Sequence, residues 1–277
     1  MSEIKQPTPM AQTELTAGYL QRFGGIGRLY GTAALEAFSQ AHMVVVGLGG
    51  VGSWVAEALA RSGIGTLTLI ELDDICVTNT NRQLHAMTST VGKQKNTTLS
   101  ARLRDINPEI TLHTTEDFLT TKNIAEHITE EHHVVIDAID SSSVKAALAA
   151  FCIHKKKRLI RAGSSGGKTD PSRITVGDLG ITIADPMLSK VRNILFRHHN
   201  FERNKKRKFR VDAIYSSEHM LYPQSDGSVC ANKKDLKEGT KLDCASGFGS
   251  ATMITGSFGF LAASQAIKRY LQDQPLK

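Results

Sequence analysis

Between residues 47 and 52 the chain reads Gly-Leu-Gly-Gly-Val-Gly, directly after an apolar, β-branched run at 43–46. Gly47, Gly49, Gly50 and Gly52 carry no Cβ, so backbone N–H groups at the start of a following helix can touch phosphate. Glu71 lies about twenty residues on, where an acid binds ribose hydroxyls, and the pattern therefore points to a nucleotide. It does not choose which one. The 47-49-52 spacing also fits the dinucleotide fingerprint and leaves a dehydrogenase open. The next polar residues favour a triphosphate. Asn79, Arg82 and Gln83 follow the second apolar run, Lys95 comes after them, and Asp137 and Asp140 close a later one. Cations neutralise phosphate charge and an aspartate holds magnesium, which an enzyme that splits a triphosphate needs and a hydride-transfer site does not. Taken singly, each has a plainer reading: Asp140 as a helix N-cap ahead of Ser141-Ser142-Ser143, Lys95 as a solvated helix lysine, Arg82 as a surface residue.

These residues need a scaffold, and the apolar pattern supplies one. Residues 14–40 read as helices interrupted by the glycines of RFGGIGRLYG. Then come a strand at 43–46, a helix at 53–61 and a strand at 66–70, which together make a right-handed βαβ unit. Further helices are predicted at 93–105 and 141–154, and further strands at 110–114, 133–137 and 158–162. The alternation predicts an α/β fold: a doubly wound, mainly parallel (Rossmann-like) sheet with helices on both faces and a C-terminal extension. Residues 14–163 form the expected nucleotide-binding core. Residues 164–277 form an extension of the same domain, with a loop at SSGGKTDPS, strands at 173–183 and 211–215, and a polar, turn-rich stretch at 222–243. Residues 245–267 lack charge but carry glycine, serine and threonine, so a buried small-residue helix is favoured over peripheral or single-span membrane association.

Forty per cent hydrophobic and 22% charged residues exclude wholesale disorder in this 277-residue chain. The four cysteines, Cys76, Cys152, Cys230 and Cys244, form no C-x-x-C pair, so neither a structural zinc site nor a disulfide scaffold is expected. Cys230 and Cys244 read as small buried hydrophobes before redox or sulfur-accepting thiols. The N-terminus shows no secretory signal, and a cytoplasmic location is expected. Net charge is +7, yet residues 190–210 alone carry nine Lys/Arg against Glu202, so the remainder sums to −1. A basic block this localised favours a polyanion such as nucleic acid. Arg203, Lys205, Lys206, Arg207, Lys208 and Arg210 are the candidate RNA contacts, with Phe196, Phe201 and Phe209 either stacking on bases or anchoring the segment in the core. His132-His133 and His198-His199 read as surface or phosphate-facing, and Lys168 and Arg173 as further RNA or carboxylate contacts.

Residues 47–83 (GLGGVGSWVAEALARSGIGTLTLIELDDICVTNTNRQ), with VGKQK (91–95), INP (106–108) and VVIDAIDS (134–141), resemble the adenylating domain of the ubiquitin-activating, ThiF and MoeB superfamily. The resemblance implies ATP and magnesium as cofactors. Gly49 and its neighbours would contact phosphates, Glu71 and Asp73 stand at the acidic positions, Asn79, Arg82 and Lys95 at the triphosphate positions, and Asp140 at the magnesium-linked aspartate. Arg82, Lys95 and Asp140 are then the catalytic set. Relatives place an N-terminal arginine in the partner subunit's ATP site. Here Gly25 occupies that position, and Arg22 or Arg28 would substitute in a homodimer. RFGGIGRLYG, RAGSSGGKTDPSRI (161–174), the basic insertion and YSSE (215–218) resemble, within the superfamily, the tRNA threonylcarbamoyladenosine dehydratases.

That resemblance implies ATP-dependent activation of the threonylcarbamoyl carboxylate on the adenosine beside the anticodon, followed by cyclisation. Residues 153–229 hold no cysteine for a thioester, and intramolecular attack needs none. Residues 164–277 would then bind tRNA and mediate dimerisation. The competing expectations are adenylation of the C-terminal glycine of a ubiquitin-like sulfur carrier, and a non-catalytic ATP- and RNA-binding partner in a sulfur relay.

Overall fold

The computed structural model describes residues 14–203, 208–224, 226–231 and 248–275. Strands β1 (His42–Val46), β2 (Thr66–Ile70), β3 (Thr111–Thr115), β4 (Val134–Asp137), β5 (Arg158–Ala162), β6 (Ile174–Asp178) and β7 (Asp212–Ser216) form one sheet in the order β3-β2-β1-β4-β5-β7-β6. Every pairing is parallel except β6 with β7. From β1 the chain winds one way to β2 and β3, then returns past β1 to β4 and β5. The order therefore reverses beside β1, and the carboxyl ends of β1 and β4 open a crevice there. A short hairpin of β8 (Tyr222–Pro223) and β9 (Val229–Cys230) stands apart from the sheet.

The strand sequences are apolar without alternation because both faces are covered. Met43 and Val45 point into one core, with Leu67, Leu69, Val55, Leu59, Leu99 and Phe258. This layer is made by α2 (Thr32–Gln40), α3 (Gly52–Arg61), α4 (Lys95–Ile106) and α8 (Thr252–Asp273). Val44 and Val46 point into the other core, against α5 (Ile124–His127), α6 (Ser142–His154) and α7 (Pro186–His198). The remaining helix, α1 (Ala17–Tyr30), docks Tyr19 and Phe23 on Leu35, and the Tyr19 hydroxyl donates to the Gly63 carbonyl. Gly63 lies just ahead of β2, so α1 sits at the end of the sheet away from the glycine turn.

Of the uncharged stretch expected at 245–267, residues from 252 on form α8, which runs to 273; 248–251 precede it, and 245–247 lie outside the described residues. No helix among the described residues is long and apolar enough to cross a membrane. Its small residues allow close packing. A Cβ on Gly259 would lie 2.6 Å from Trp54 Cβ and 2.9 Å from the Val51 carbonyl oxygen, whereas one on Gly256 meets the Trp54 ring at an ordinary 3.8 Å.

Part of the basic block is structural. Leu188, Val191 and Leu195 bury one side of α7, and Arg192 donates to the Leu179 carbonyl (3.1 Å). Phe209 packs between Phe196 (5.9 Å between ring centroids) and Phe201 (5.7 Å), and Arg203 lies over Phe196 at 5.3 Å. These phenylalanines therefore anchor the insertion instead of presenting free stacking faces. Arg203, Lys208 and Arg210 are exposed, while Lys205, Lys206, Arg207 and Cys244 lie outside the described residues.

Two further expectations are corrected. Lys168 is buried and donates to the main-chain carbonyls of Ala184 (3.2 Å) and Glu218, and Arg173 donates to the Ser217 carbonyl (3.1 Å). Lys168 thus holds the extension together and offers no exposed ammonium, whereas Arg173 stays exposed. His132 is also buried, at the N-terminal ends of β1 and β4, where His42, His113 and His133 gather. Thr129 donates its N–H to Nδ1 of His132 (3.0 Å), His42 donates its N–H to Nδ1 of His133 (3.0 Å), and His42 Nε2 meets Thr68 Oγ1 at 2.7 Å. Rings that accept through Nδ1 must be neutral.

Burial, reinforced by the neighbouring imidazoles and opposed only by Glu131, lowers His42 to about 4. Burial, with Lys157 and the other histidines adding, does the same to His132. Both folded values lie below the ordinary 6.5, so the unfolded chain takes up protons first. Stability from this cluster is complete above pH 6.5 and drains away as the pH falls towards 4. Thermal unfolding followed across that window should show a falling midpoint. The slope should be shallower in His132→Asn, whose amide oxygen can still accept from Thr129; equal slopes would remove the histidines as the cause. At the α3–α8 contact, Gly259→Ala should cost about 1–3 kcal/mol in denaturant unfolding. Gly256→Ala should be neutral or gain up to about 1 kcal/mol from helix propensity.

Candidate active site

The crevice is an open cleft of about 610 Å³. Its floor is the turn from β1 into α3. Gly47 leaves the strand with φ +84°, donating its N–H to the Ile70 carbonyl (3.0 Å), and a Cβ there would sit 3.0 Å from the Ala138 carbonyl oxygen. Gly52 lets the turn close, since a Cβ would fall 1.8 Å from the Gly47 carbonyl oxygen. Gly47, Gly49 and Gly50 line the cleft; Gly52 lies behind it and serves the turn. No side chain caps α3 at Val51, so the helix start presents free amide groups and the positive end of its dipole to the cleft.

One wall carries the acids. Glu71 Oε2 accepts from the Leu48 N–H of the glycine turn (2.9 Å), and Oε1 accepts from the N–H groups of Leu72 and Asp73 (3.0 Å each). Lys95, the first residue of α4, puts its ammonium 2.8 Å from Asp73 Oδ2 and 3.7 Å from Glu71 Oε2. This lysine is thus clasped on the side of the two acids. Asn79 Oδ1 accepts from Cys76 N–H (3.0 Å), and the Asn79 carbonyl accepts from the N–H groups of Arg82 (3.0 Å) and Gln83 (2.9 Å). The turn so formed aims Arg82 into the cleft. Its guanidinium donates to the Thr78 carbonyl (2.8 Å) and the Asn81 side-chain oxygen (3.0 Å), and it meets no carboxylate among the described residues.

Asp140 lines the cleft at the carboxyl end of β4. The capping role open to it in the sequence is not realised: α6 begins at Ser142 with Ser141 as its N-cap. The exposed Asp140 carboxylate makes no hydrogen bond with another described residue.

Asp137 requires a correction. Expected among the nucleotide contacts, it is fully buried beneath the cleft and does not line it. Its Oδ1 accepts from Lys145 Nζ (2.9 Å) and from the Ile139 N–H (3.2 Å), and Oδ2 accepts from Arg161 Nε (2.9 Å). Lys145 also donates to the Ala162 carbonyl (2.8 Å), and Arg161 to the Lys145 carbonyl. Lys145 and Arg161 are fully buried as well. Burial opposes the Asp137 charge, but the two cations outweigh it and hold its pKa below the ordinary carboxylate range. The cluster bolts the end of β4, which leads to Asp140, to the end of β5, which leads to 163–166.

A family model for the ThiF family matches residues 25–277. The chain belongs to the ThiF family. The tRNA threonylcarbamoyladenosine dehydratase of Escherichia coli (strain K12) is 49% identical to it over 257 residues, which are 93% of this chain and 96% of that protein. The solved structure of TcdA (CsdL) matches with a TM-score of 0.85 at 47% identity, covering 93% and 96% of the two chains. The E. coli tRNA N6-threonylcarbamoyladenosine dehydratase TcdA in complex with ATP matches with a TM-score of 0.82 at 43% identity, over 94% of this chain and 98% of that one.

In this ThiF-family chain the cleft gathers Gly47, Gly49, Gly50, Glu71, Asp73, Asn79, Arg82, Lys95 and Asp140, and leaves Asp137 and Gly52 behind it. The far wall was missed in the sequence. It consists of residues 163–166, read there only as a loop, together with Met187 and residues 248–250, which arrive from distant parts of the chain. Removing Asp137 strands two buried cations. Asp137→Asn should therefore cost about 3–5 kcal/mol in denaturant unfolding, and Lys145→Met, which leaves Asp137 paired with Arg161, distinctly less. Equal losses would show that the ion balance does not govern this site.

Proposed function

We propose that this chain is an ATP-dependent enzyme that adenylates the carboxylate of N6-threonylcarbamoyladenosine in tRNA and then closes it into a ring with loss of water. The support that carries the reading is near-end-to-end likeness to a relative with that name, seen also in a relative solved with ATP. The cleft fits the same chemistry. Glu71 and Asp73 face the sugar, and the uncapped start of α3 and Arg82 face the phosphates. The carboxylate oxygen attacks the α-phosphorus and pyrophosphate leaves. Arg82 stabilises the charge that builds on the phosphoryl oxygens. An atom of the same modified base then attacks the activated acyl carbon, a proton is lost, and AMP departs. Tethering supplies an effective concentration on the order of 10⁵ M, so no enzyme nucleophile is required. Among the described cysteines none lines the cleft.

Magnesium fits as an ion carried on the phosphates. Asp140 offers one uncommitted carboxylate, and no group of three or more His, Cys, Asp or Glu among the described residues could cage a metal by itself. Such an ion would neutralise phosphate charge beside Arg82. The exposed cations Arg203, Lys208 and Arg210, with Lys205, Lys206 and Arg207, form the tRNA surface. Met187 at the start of α7 lines the cleft, and the basic run follows its far end, about 20 Å away.

A homodimer completes the reading. Met253 and Phe260 on α8 and Leu29 on α1 are exposed, and Arg22 and Arg28 lie on α1, away from this chain's own cleft. From there either arginine can serve only a partner's site.

Nucleosides from tRNA bearing the modification, incubated with the chain and ATP, should lose the mass of one water while AMP and pyrophosphate form. Asp140→Ala should abolish both while the fold stays intact. Equal AMP release with unmodified tRNA would refute the assignment.

A further inference from the structure

In the sheet order, the cleft residues that follow β2 and those that follow β5 lie on opposite sides of the glycine turn, giving the cleft two arms. One holds Glu71, Asp73 and Lys95 and suits a charged, hydroxyl-rich nucleotide. The other is lined by residues 163–166, Met187 and residues 248–250, and none of these is charged. Phosphates across the glycine turn leave this second arm for whatever carries the carboxylate. Phe248 is its aromatic side chain.

Phe248 belongs to a fixed wall. The Gly249 carbonyl accepts from the Gly167 N–H (3.0 Å), and the Ser250 carbonyl accepts from Asn81 Nδ2 (2.7 Å). Thr252 Oγ1 donates back to the Asn81 carbonyl (2.7 Å), and Thr255 Oγ1 to that of Arg82 (3.1 Å). The segment is thereby tied at one end to the SSGG loop and at the other to the turn that aims Arg82. Tyr222, which does not line the cleft, backs the Phe248 ring at 5.7 Å and 73°. Gly166 keeps the adjacent surface clear, since a Cβ there would come within 3.3 Å of Phe248 Cβ.

From this geometry we propose that Phe248 is the stacking platform of a subsite that takes the flat face of the target base, with Ser164 and Ser165 at its polar edge. The proposal deepens the function proposed above and rests on it. A planar purine gains from an aromatic ring, and every base offers a π-face. A flexible Gly-Gly peptide tail has no such face, so the uncharged arm with a braced ring favours a nucleoside over a carrier protein. The subsite sets where the carboxylate lies relative to Arg82 because both walls share the Asn81–Ser250 link.

The test compares wild type, Phe248→Ala and Phe248→Tyr as full-length chains. It measures conversion of tRNA bearing the modification, ATP affinity, and affinity for unmodified tRNA. Phe248→Ala should lower kcat/KM for the modified tRNA about tenfold to a hundredfold, and Phe248→Tyr should restore most of it. Affinity for ATP should not change, and affinity for unmodified tRNA, held mainly by phosphate contacts, should fall far less than conversion does. Wild-type conversion with undiminished Phe248→Ala activity overturns the subsite alone. So does a loss that tyrosine does not restore, or one that extends to ATP affinity. A wild-type chain that converts no modified tRNA overturns the functional reading and the subsite with it.

Discussion

Three charged side chains with no solvent exposure, Asp137, Lys145 and Arg161, determine where the floor of the cleft lies. Burying such a cluster does not by itself stabilise a fold, because desolvation cancels much of the attraction. Its contribution here is directional. Each carboxylate oxygen of Asp137 takes a different cation, and the cations in turn hold carbonyls on β5 and α6. Asp137 and Arg161 are register partners across β4 and β5, so a one-residue slip would part them. The register that presents Asp140 beside the glycine turn is thus favoured by a buried ion pair. Hydrophobic packing alone, which tolerates exchange among valine, isoleucine and leucine, would enforce it far less sharply.

The electrostatics above that floor are divided. Lys95 is neutralised by Asp73 and Glu71, and Glu71 is also spent on the Leu48 amide of the glycine turn. The acid wall is therefore rigid, and its two carboxylates against one ammonium leave it net negative, a surface that accepts hydrogen bonds from hydroxyls and repels phosphate. Arg82 is held among the described residues by a carbonyl and an amide oxygen, with no carboxylate beside it, which suits the phosphate contact proposed for it. A cation already paired contributes less to a developing phosphoryl charge than one pre-oriented by neutral acceptors. On the proposed function, Arg82 is therefore the better placed of the two to carry the transition-state burden, although the sequence presents them as equals.

What the sequence disclosed follows the range of the interactions. Apart from the single-turn α5, which no apolar period announces, the strands and helices from 43 to 162 are set by local apolar patterning, and their boundaries were legible to within about two residues. So were Glu71, Arg82 and Asp140, because strand ends and turns fix them locally. Asp137 was misplaced for a physical reason. An aspartate at the end of a strand looks the same whether it faces ligand or core, and its partners Lys145 and Arg161 sit where sequence periodicity cannot place a buried charge. His132 and Lys168 were misplaced in the same way, since polar side chains in the interior are found only through their partners. The second arm of the cleft was illegible because residues 163–166 and 248–250 meet across more than eighty positions of chain.

The geometry also separates affinity from chemistry. α7 begins at the cleft and Arg203 follows its far end, so on the proposed function the cations assigned to tRNA phosphates stand apart from those assigned to ATP. Interactions with phosphate are sequence-independent and screened by salt, whereas contacts inside the cleft are partly shielded from it. Raising ionic strength should therefore weaken the encounter with tRNA well before it weakens nucleotide binding. The anchoring of Phe196, Phe201 and Phe209 in the protein fits the proposed division, in which this region offers RNA charge and base recognition is left to the cleft. On that proposal, discrimination between modified and unmodified tRNA has to arise where the carboxylate meets the nucleotide, because no distant phosphate contact can sense a single altered base.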